Sequence, residues 1–460
     1  MTSIAVTSLD AIVKAYDIRG TYPDQITAEV CEALGIGFAN FIAEVEPETT
    51  EIVIGRDMRP SGPELVEAFA RGAARQGLGV VEIGLASTDM IYFAAGSLGM
   101  PGVMFTASHN PAGYNGIKMC LSGAAPIGQD TGLSAIKATA RAVLEGNPPE
   151  AAGQAGTTRV TDLLGAFVDH VHSFVDTQAL RPLKIVADTA NGMGGLVVPA
   201  AFADLPFELD LLYPELDGTF PNHPADPLNM ENLRDLQARV LEVGADIGLA
   251  FDGDADRVFL VDEKAQPVSG SLTTALLARS ILAKHPERTV VHNLICSKVV
   301  PEVIAESNGT AFRSRVGHSF IKAHMAEENA IFGGEHSAHY YFADNWRADS
   351  GLIAAMMALA ELSAFDGTLS ELLAPLDRYA ASGEINTTVA DAGAVIDHVA
   401  AHYAGATIDR LDGLTVDLGE WWFNLRASNT EPLLRLNLEA ADVDAVAQRV
   451  AEVQAVMAQA

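Results

Sequence analysis

The chain has 460 residues, 49% of them hydrophobic, enough to build several buried cores and too apolar for a disordered chain. Acidic residues outnumber basic ones 60 to 29, for a formal charge of −31, which argues against a nucleic-acid binder because phosphate contacts need a basic surface. An anionic substrate would require the scarce positive charge to be concentrated at one place.

Strand-like and helix-like segments alternate along the chain. Ile52–Asp57 reads as a buried strand, and Ser61–Gly62–Pro63–Glu64 fits a capping box opening a helix that stops at Gly77. Gly79–Ala86 and Gly102–Thr106 read as further short strands, so the unit is a mainly parallel sheet covered by helices. Gly146–Gly156 is a Pro/Gly/Ala-rich linker. A second α/β unit holds the strands Leu183–Thr189 and Asp246–Phe251. A third begins after Arg257–Asp262 and contains the helix Ser271–Ala283, the strand Thr289–Cys296 and the helix Asp349–Ala364. Beyond about residue 370 the rhythm changes to α+β. Here a helix at Ala392–His402 and strands at Leu414–Asn424 and Leu433–Leu438 precede a final helix. That helix starts at Asp442 or Asp444 and places Val443, Val446, Val450, Val453 and Met457 on one face. The expected fold is α/β, with domains at 1–150, 151–256, 257–369 and 370–460, the first three of similar size and hinting at duplication.

Cys31, Cys120 and Cys296 are far apart and form no CxxC pair, which fits buried free thiols in a reducing cytosol better than a disulfide framework or a zinc site. The first residues lack a basic region, and Asp10 interrupts their apolar stretch, so they do not read as a signal peptide. The longest helix-like apolar run, Leu352–Ala360, is ended by Glu361 and is too short to span a membrane. The expectation is a cytoplasmic protein with neither membrane nor nucleic-acid partners.

Four motifs could carry chemistry. In Thr106–Ala107–Ser108–His109–Asn110–Pro111 a strand ends in a turn, leaving Ser108 where α/β sheets place ligands, beside His109 and ten residues before Lys118. This suits a phosphoryl or acyl carrier, the alternative being an Asx-Pro turn with an ordinary hydroxyl; no G-x-S-x-G elbow is present. In Asp252–Gly253–Asp254–Ala255–Asp256–Arg257 three alternating carboxylates can converge on a hard cation such as Mg²⁺. Arg257 stands where an EF-hand needs glycine, which leaves a solvated acidic turn as the other reading. In Gly333–Gly334–Glu335–His336–Ser337–Ala338–His339, residues Glu335, Ser337 and His339 would share one face of a strand and suit sugar hydroxyls, or form a plain polar edge. In Arg426–Ala427–Ser428–Asn429–Thr430–Glu431–Pro432, with Arg435 beyond, an arginine, two hydroxyls and turn N–H groups make a phosphate nest, or a polar turn. Asn191–Gly195 lacks dinucleotide spacing and reads as a strand-to-helix turn; Asp217–Asn222 reads as architectural.

In this order the four motifs resemble the α-D-phosphohexomutase family, and the likeness, with Lys14–Gly20 and Arg315–Lys322, runs through almost the whole chain. Within the family the motifs are most similar to the branch acting on mannose and glucose phosphates. The resemblance implies four domains around a central cleft, three of them related α/β units with mixed, mainly parallel sheets. It also implies a mutase of hexose 1- and 6-phosphates working through a phosphorylated Ser108, Mg²⁺ and a hexose 1,6-bisphosphate that serves as intermediate and activator. Domain one would carry the phosphoserine, domain two the metal, domain three the sugar site and domain four the phosphate site. Asp252, Asp254, Asp256 and Ser108 would meet the metal, Glu335 and Ser337 would read sugar hydroxyls, and Arg426, Ser428, Asn429, Thr430 and Arg435 would hold the idle phosphate. Arg315 and His318 would assist, and Arg257 would orient the phosphoserine or the metal loop. Lys118, Arg19 and His109 would serve proton transfer and charge stabilisation, Lys118 foremost with a pKa lowered by burial near cations, and His339 next. A monomer or homodimer is expected. Phosphoglucomutase, phosphoglucosamine mutase and a non-catalytic sugar-phosphate-binding protein are the alternatives. The sequence departs from many relatives at Asn429, at His336 and Ala338, and at Ser87–Thr88–Asp89, which replaces a Thr-Pro pair and has no function attached.

Overall fold

The computed structural model describes residues 4–427 and 433–460. The chain divides into two compact units, Met1–Ser269 with Ser337–Leu372, and Gly270–His336 with Leu373–Ala460. No helix among the described residues is long and apolar enough to cross a membrane.

The first unit holds two sheets. The first runs in the order Ile18–Thr21, Tyr114–Cys120, Gly102–Phe105, Glu51–Arg56, Gly79–Leu85, Thr158–Val160. Its last four strands are parallel, and Tyr114–Cys120 and Ile18–Thr21 continue it antiparallel. Ile52, Val53 and Ile54 are fully buried, the continuous apolar run expected of a parallel strand covered on both faces. The second sheet runs Pro267–Val268, Val258–Asp262, Ile247–Phe251, Leu183–Asp188, Phe207–Leu212. Tyr340–Phe342 and Ala348–Asp349 form a short antiparallel pair ahead of the helix Gly351–Ala364.

In the second unit, Thr310–Ser314, Thr289–Asn293 and Phe332–Gly334 pair in parallel in that order. The C-terminal sheet is wholly antiparallel, in the order Ala380–Thr388, Leu433–Ala440, Trp422–Ala427, Leu414–Asp417, Thr407–Asp409. Leu434, Leu436, Phe423 and Leu425 face a core shared with Val399 and Val453 of two helices. The period-two alternation therefore turns Arg435 and Arg426 to the opposite face.

The α/β expectation and its duplication hint have a common physical form. In each of the three parallel sets, the first strand of the set pairs with the second on one side and the third on the other. Strand order therefore reverses at the first strand, which is where open α/β sheets bind ligands beyond their carboxyl ends. The strand ends meeting at these three points are Arg56 and Phe105, Asp188 and Phe251, and Asn293 and Gly334.

Several expectations are corrected. The first sheet extends to Thr158–Val160, and the second continues through Val258–Asp262 to Val268, two pairings the sequence reading did not include. Val258–Asp262 folds back on Ile247–Phe251 across the acidic loop, so the segment belongs to the second sheet, ahead of the third unit. Ser61 makes no capping hydrogen bond; its hydroxyl accepts from the Asn115 amide at 2.7 Å. Leu414–Asn424 is a hairpin of two strands. Val443 is 75% exposed, and Val456 takes its place on the buried face.

Candidate active site

Ser108 follows the buried strand Gly102–Phe105 and is itself buried. The Thr106 hydroxyl accepts its N–H at 2.8 Å, and its φ of 49° lies in the left-handed region, a strained position for a residue with a Cβ. The loop is held from below by Arg59, which the sequence reading missed. All five guanidinium donors are engaged. Nε pairs with Asp57 at 3.1 Å, and the two amino groups donate to the carbonyls of Ser108, Asn110, Pro111 and Tyr114 at 2.9, 2.6, 2.8 and 2.9 Å. The available signal was position: Asp57–Met58–Arg59 follows a buried strand at the point where strand order reverses. Arg19 supports the same loop, donating to the Ala107 carbonyl at 3.2 Å and to the Asn110 side chain while pairing with Asp17 at 2.7 Å.

The acidic loop Asp252–Arg257 joins Ile247–Phe251 to Val258–Asp262, and all three of its aspartates are fully buried. One carboxylate oxygen from each lies within 4.8 Å of the others. A Cβ on Gly253 would stand 2.5 Å from the Ser108 carbonyl oxygen, so only glycine lets the two loops approach this closely. The Ser108 hydroxyl donates to Asp252 at 2.9 Å and stands 3.1 Å from His109 Nδ1. Arg257 spans both, with Nε at 2.9 Å from Asp252 and an amino group at 2.6 Å from His109 Nδ1. Because arginine only donates, Nδ1 is the unprotonated nitrogen of His109. Burial, aided by Arg257 and Arg19, holds the His109 imidazole well below its ordinary pKa and keeps it neutral.

Lys118 lies on the antiparallel neighbour of the serine strand. Its ammonium pairs with Asp254 at 2.8 Å and Asp256 at 2.6 Å. The expected depression of its pKa is reversed: burial works to lower it, but Asp254 and Asp256 outweigh burial and raise it well above its ordinary value. Conversely, Asp254 would be raised by burial, yet Lys118, Thr88 and Arg19 hold it well below the usual carboxylate range. Burial pushes Asp252 up, with Arg257 opposing.

Do these residues fit a metal? Asp254 Oδ1 and Asp256 Oδ1 are buried with no hydrogen-bond partner among the described residues. A buried carboxylate oxygen left unpaired is costly, and two of them beside a third carboxylate suit a hard divalent cation. A second group, Asp256, His339 and Asp349, shares Asp256 with the first. His339 Nε2 stands 3.9 Å from Asp256, and its Nδ1 is 3.3 Å from the Ser337 hydroxyl, so both residues border the acidic loop.

In the second unit, Glu335 is buried and accepts from the Asn293 amide at 2.9 Å and, more weakly, from the Gly317 N–H at 3.4 Å. Residues 335–339 form a turn with Ala338 at φ 64°, not the expected strand, so the shared face of Glu335, Ser337 and His339 does not arise. The Arg315 guanidinium stacks over Phe320 at 4.7 Å, and His318 opens the helix His318–Glu327. Val316 donates to Asp412 at 3.3 Å, and the same carboxylate lies 3.6 Å from Arg426. Arg426 and Arg435 are direct cross-strand partners, and each has a buried Nε without a hydrogen-bond partner among the described residues. Asn293 and Asp412, like Arg59, escaped the sequence reading. Ser428, Asn429 and Thr430 lie outside the described residues.

Comparison with known proteins agrees along the chain. It matches the phosphoglucomutase/phosphomannomutase alpha/beta/alpha domains I, II and III over residues 10–145, 165–266 and 269–379, and the C-terminal domain of the same group over 384–456. It is 42% identical to a Xanthomonas campestris protein described as phosphohexose mutases, covering 93% of this chain and 94% of that one. It is 40% identical to a phosphomannomutase of Salmonella montevideo, covering 96% and 97%. A crystal structure of a phosphoglucomutase/phosphomannomutase family protein from Burkholderia thailandensis superposes with a TM-score of 0.87 at 31% identity, covering 99% of this chain and 98% of that one.

Proposed function

This chain belongs to the phosphoglucomutase/phosphomannomutase family and is an intramolecular phosphotransferase, and on that premise we propose that it interconverts mannose 1-phosphate and mannose 6-phosphate, with glucose phosphates as further substrates. The observation that carries this reading is the Ser108 hydroxyl, buried, bonded to Asp252 at 2.9 Å and set beside unprotonated His109 Nδ1 at 3.1 Å. Phosphorylated Ser108 would donate to the free hydroxyl of a hexose monophosphate: the serine O–P bond breaks and a sugar O–P bond forms. The resulting hexose 1,6-bisphosphate returns its other phosphate to Ser108, and the same bisphosphate added from outside rephosphorylates a bare serine. His109, with Asp252, would hold the proton at Ser108 Oγ between these steps, a role supported by their contacts with that hydroxyl. Asp252, Asp254 and Asp256 would hold Mg²⁺, which when bound stabilises charge on the transferring group.

The distant phosphate falls to Arg426 and Arg435. Two arginines directly opposite each other on a sheet repel, and each is offset only by one ion pair at 3.6 Å, to Asp412 and Glu384 respectively. An oxyanion would relieve the repulsion and give an acceptor to the two Nε groups, which have none among the described residues. Glu335 and Ser337 would read the sugar ring, with Arg315 and His318 assisting. Lys118, a protonated ammonium between two carboxylates, serves as an acid or a charge stabiliser, with His339 beside it. Three buried free thiols and a net charge of −31 support a cytoplasmic enzyme, monomeric or dimeric, whose partner is a small hexose phosphate.

The test compares kcat/KM for mannose, glucose and glucosamine 1-phosphates with Mg²⁺ and a trace of hexose 1,6-bisphosphate. Mannose 1-phosphate should turn over at least as well as the others; a strong preference for glucosamine, or no turnover, rejects the assignment. Ser108→Ala should abolish turnover while keeping the fold and bisphosphate binding.

A further inference from the structure

We propose that Thr88 and Asp89 position the acidic loop, Thr88 by choosing which oxygen of Asp254 is left for a cation, and Asp89 by tying the helix that carries Thr88 to the helix that begins at Gly351. The inference rests on reading Asp252, Asp254 and Asp256 as cation ligands, and it gives Ser87–Thr88–Asp89 a role.

Thr88 is fully buried and opens the helix Thr88–Leu98. Its N–H, which has no partner inside the helix, donates to the Asp254 carbonyl at 3.0 Å, and its hydroxyl donates to Asp254 Oδ2 at 2.6 Å. Lys118 takes the same Oδ2, so two donors saturate one oxygen and leave buried Oδ1 without a partner among the described residues. Rotation of the carboxylate would break both bonds.

Asp89 is also fully buried and accepts the hydroxyls of Ser87 and, at 2.6 Å, of Ser350. Ser350 caps the helix Gly351–Ala364, accepting the Ile353 N–H at 3.1 Å while donating to Asp89. That helix is laid against the acidic loop: a Cβ on Gly351 would stand 2.8 Å from the Arg257 carbonyl carbon and 2.9 Å from the Ala255 oxygen. Two helix starts therefore bracket residues 254–257, and the Asp89–Ser350 bond closes the bracket. Groups that hold a ligating carboxylate in place typically change metal affinity about 10- to 100-fold when removed.

The experiment titrates Mg²⁺ alone into the full-length protein by calorimetry. Thr88→Val, which keeps the shape and loses the hydroxyl, should weaken Mg²⁺ binding about ten-fold or more. Thr88→Ser should restore binding to within about two-fold of wild type, since the hydroxyl returns. Loss of kcat/KM in Thr88→Val should be recovered by excess Mg²⁺, with KM for the hexose phosphate unchanged. Asp89→Asn should shift affinity in the same direction by a smaller factor. Asp254→Asn is the control. If it binds Mg²⁺ like wild type, the ligand assignment fails and this inference with it. If it weakens binding while Thr88→Val binds like wild type, the positioning role alone is overturned. Should Thr88→Val not fold, an unchanged Mg²⁺ affinity in Asp89→Asn overturns the proposal in its place.

Discussion

Arg59 donates to the carbonyl of Ser108 at 2.9 Å across a separation of 49 residues, and with three neighbouring carbonyls it turns a strand-end turn into a fixed platform. The strained φ of Ser108 persists because this guanidinium over-determines the loop. Arg59→Met leaves four carbonyls and the Asp57 carboxylate without their partner, and removing one member of a buried pair costs about 3–5 kcal/mol. We expect a large fall in Tm by calorimetry and a loss of activity. Arg59→Lys should not rescue, because an ammonium cannot reach four carbonyls and a carboxylate at once.

Lys118 and a divalent cation draw on the same two carboxylates. In Lys118→Met the Coulombic competitor is gone, so Mg²⁺ affinity should rise about ten-fold or more while kcat falls. Calorimetry against steady-state kinetics separates the two effects; weaker Mg²⁺ binding in the variant would contradict the competition.

Arg435→Gln removes one member of a like-charged cross-strand pair. Stability should hold or rise slightly, by up to about 1 kcal/mol, while KM for hexose phosphates rises. Denaturant midpoints and initial rates check both signs. A destabilised variant with unaltered KM would make Arg435 structural.

Asp89 offers a pH signature. Burial pushes its carboxyl from the ordinary 3.8 up to about 7, with the Ser350 and Ser87 hydroxyls opposing. The folded chain therefore binds this proton more tightly than the unfolded chain, and the associated stability is present at low pH and lost as pH rises from about 4 to about 7. Relative to Asp89→Asn, wild type should lose a few kcal/mol (order of magnitude about 1–4) over that window and none above it. Urea denaturation of both proteins at pH 5 and pH 8 measures the difference.

Six strands of the three parallel sets were legible because buried parallel strands leave continuous apolar runs such as Ile52–Ile54, and the final helices because their period is local; Phe207–Leu212 and Thr310–Ser314, only partly buried, and the three-residue Phe332–Gly334 were not read. Two sheet pairings were not legible. Val258–Asp262 completes a hairpin whose partner lies across an acidic loop, and Thr158–Val160 adds an exposed edge strand after a linker; neither pairing leaves a periodic trace.

By itself the sequence determined which chemical groups are present and in what order. The serine, the alternating aspartates and the arginine turn are local patterns whose spacing alone limits their chemistry, and their order carries the family likeness. Only the tertiary structure decided how they are held and charged. The Thr88 hydroxyl meets Asp254 across 166 residues, Asn293 meets Glu335 across 42, and Lys118 is surrounded by carboxylates rather than cations. Hydrogen-bond partners at such separations, and the electrostatic balance they set, arise from strand ends brought together where sheet order reverses. A linear pattern does not encode that proximity.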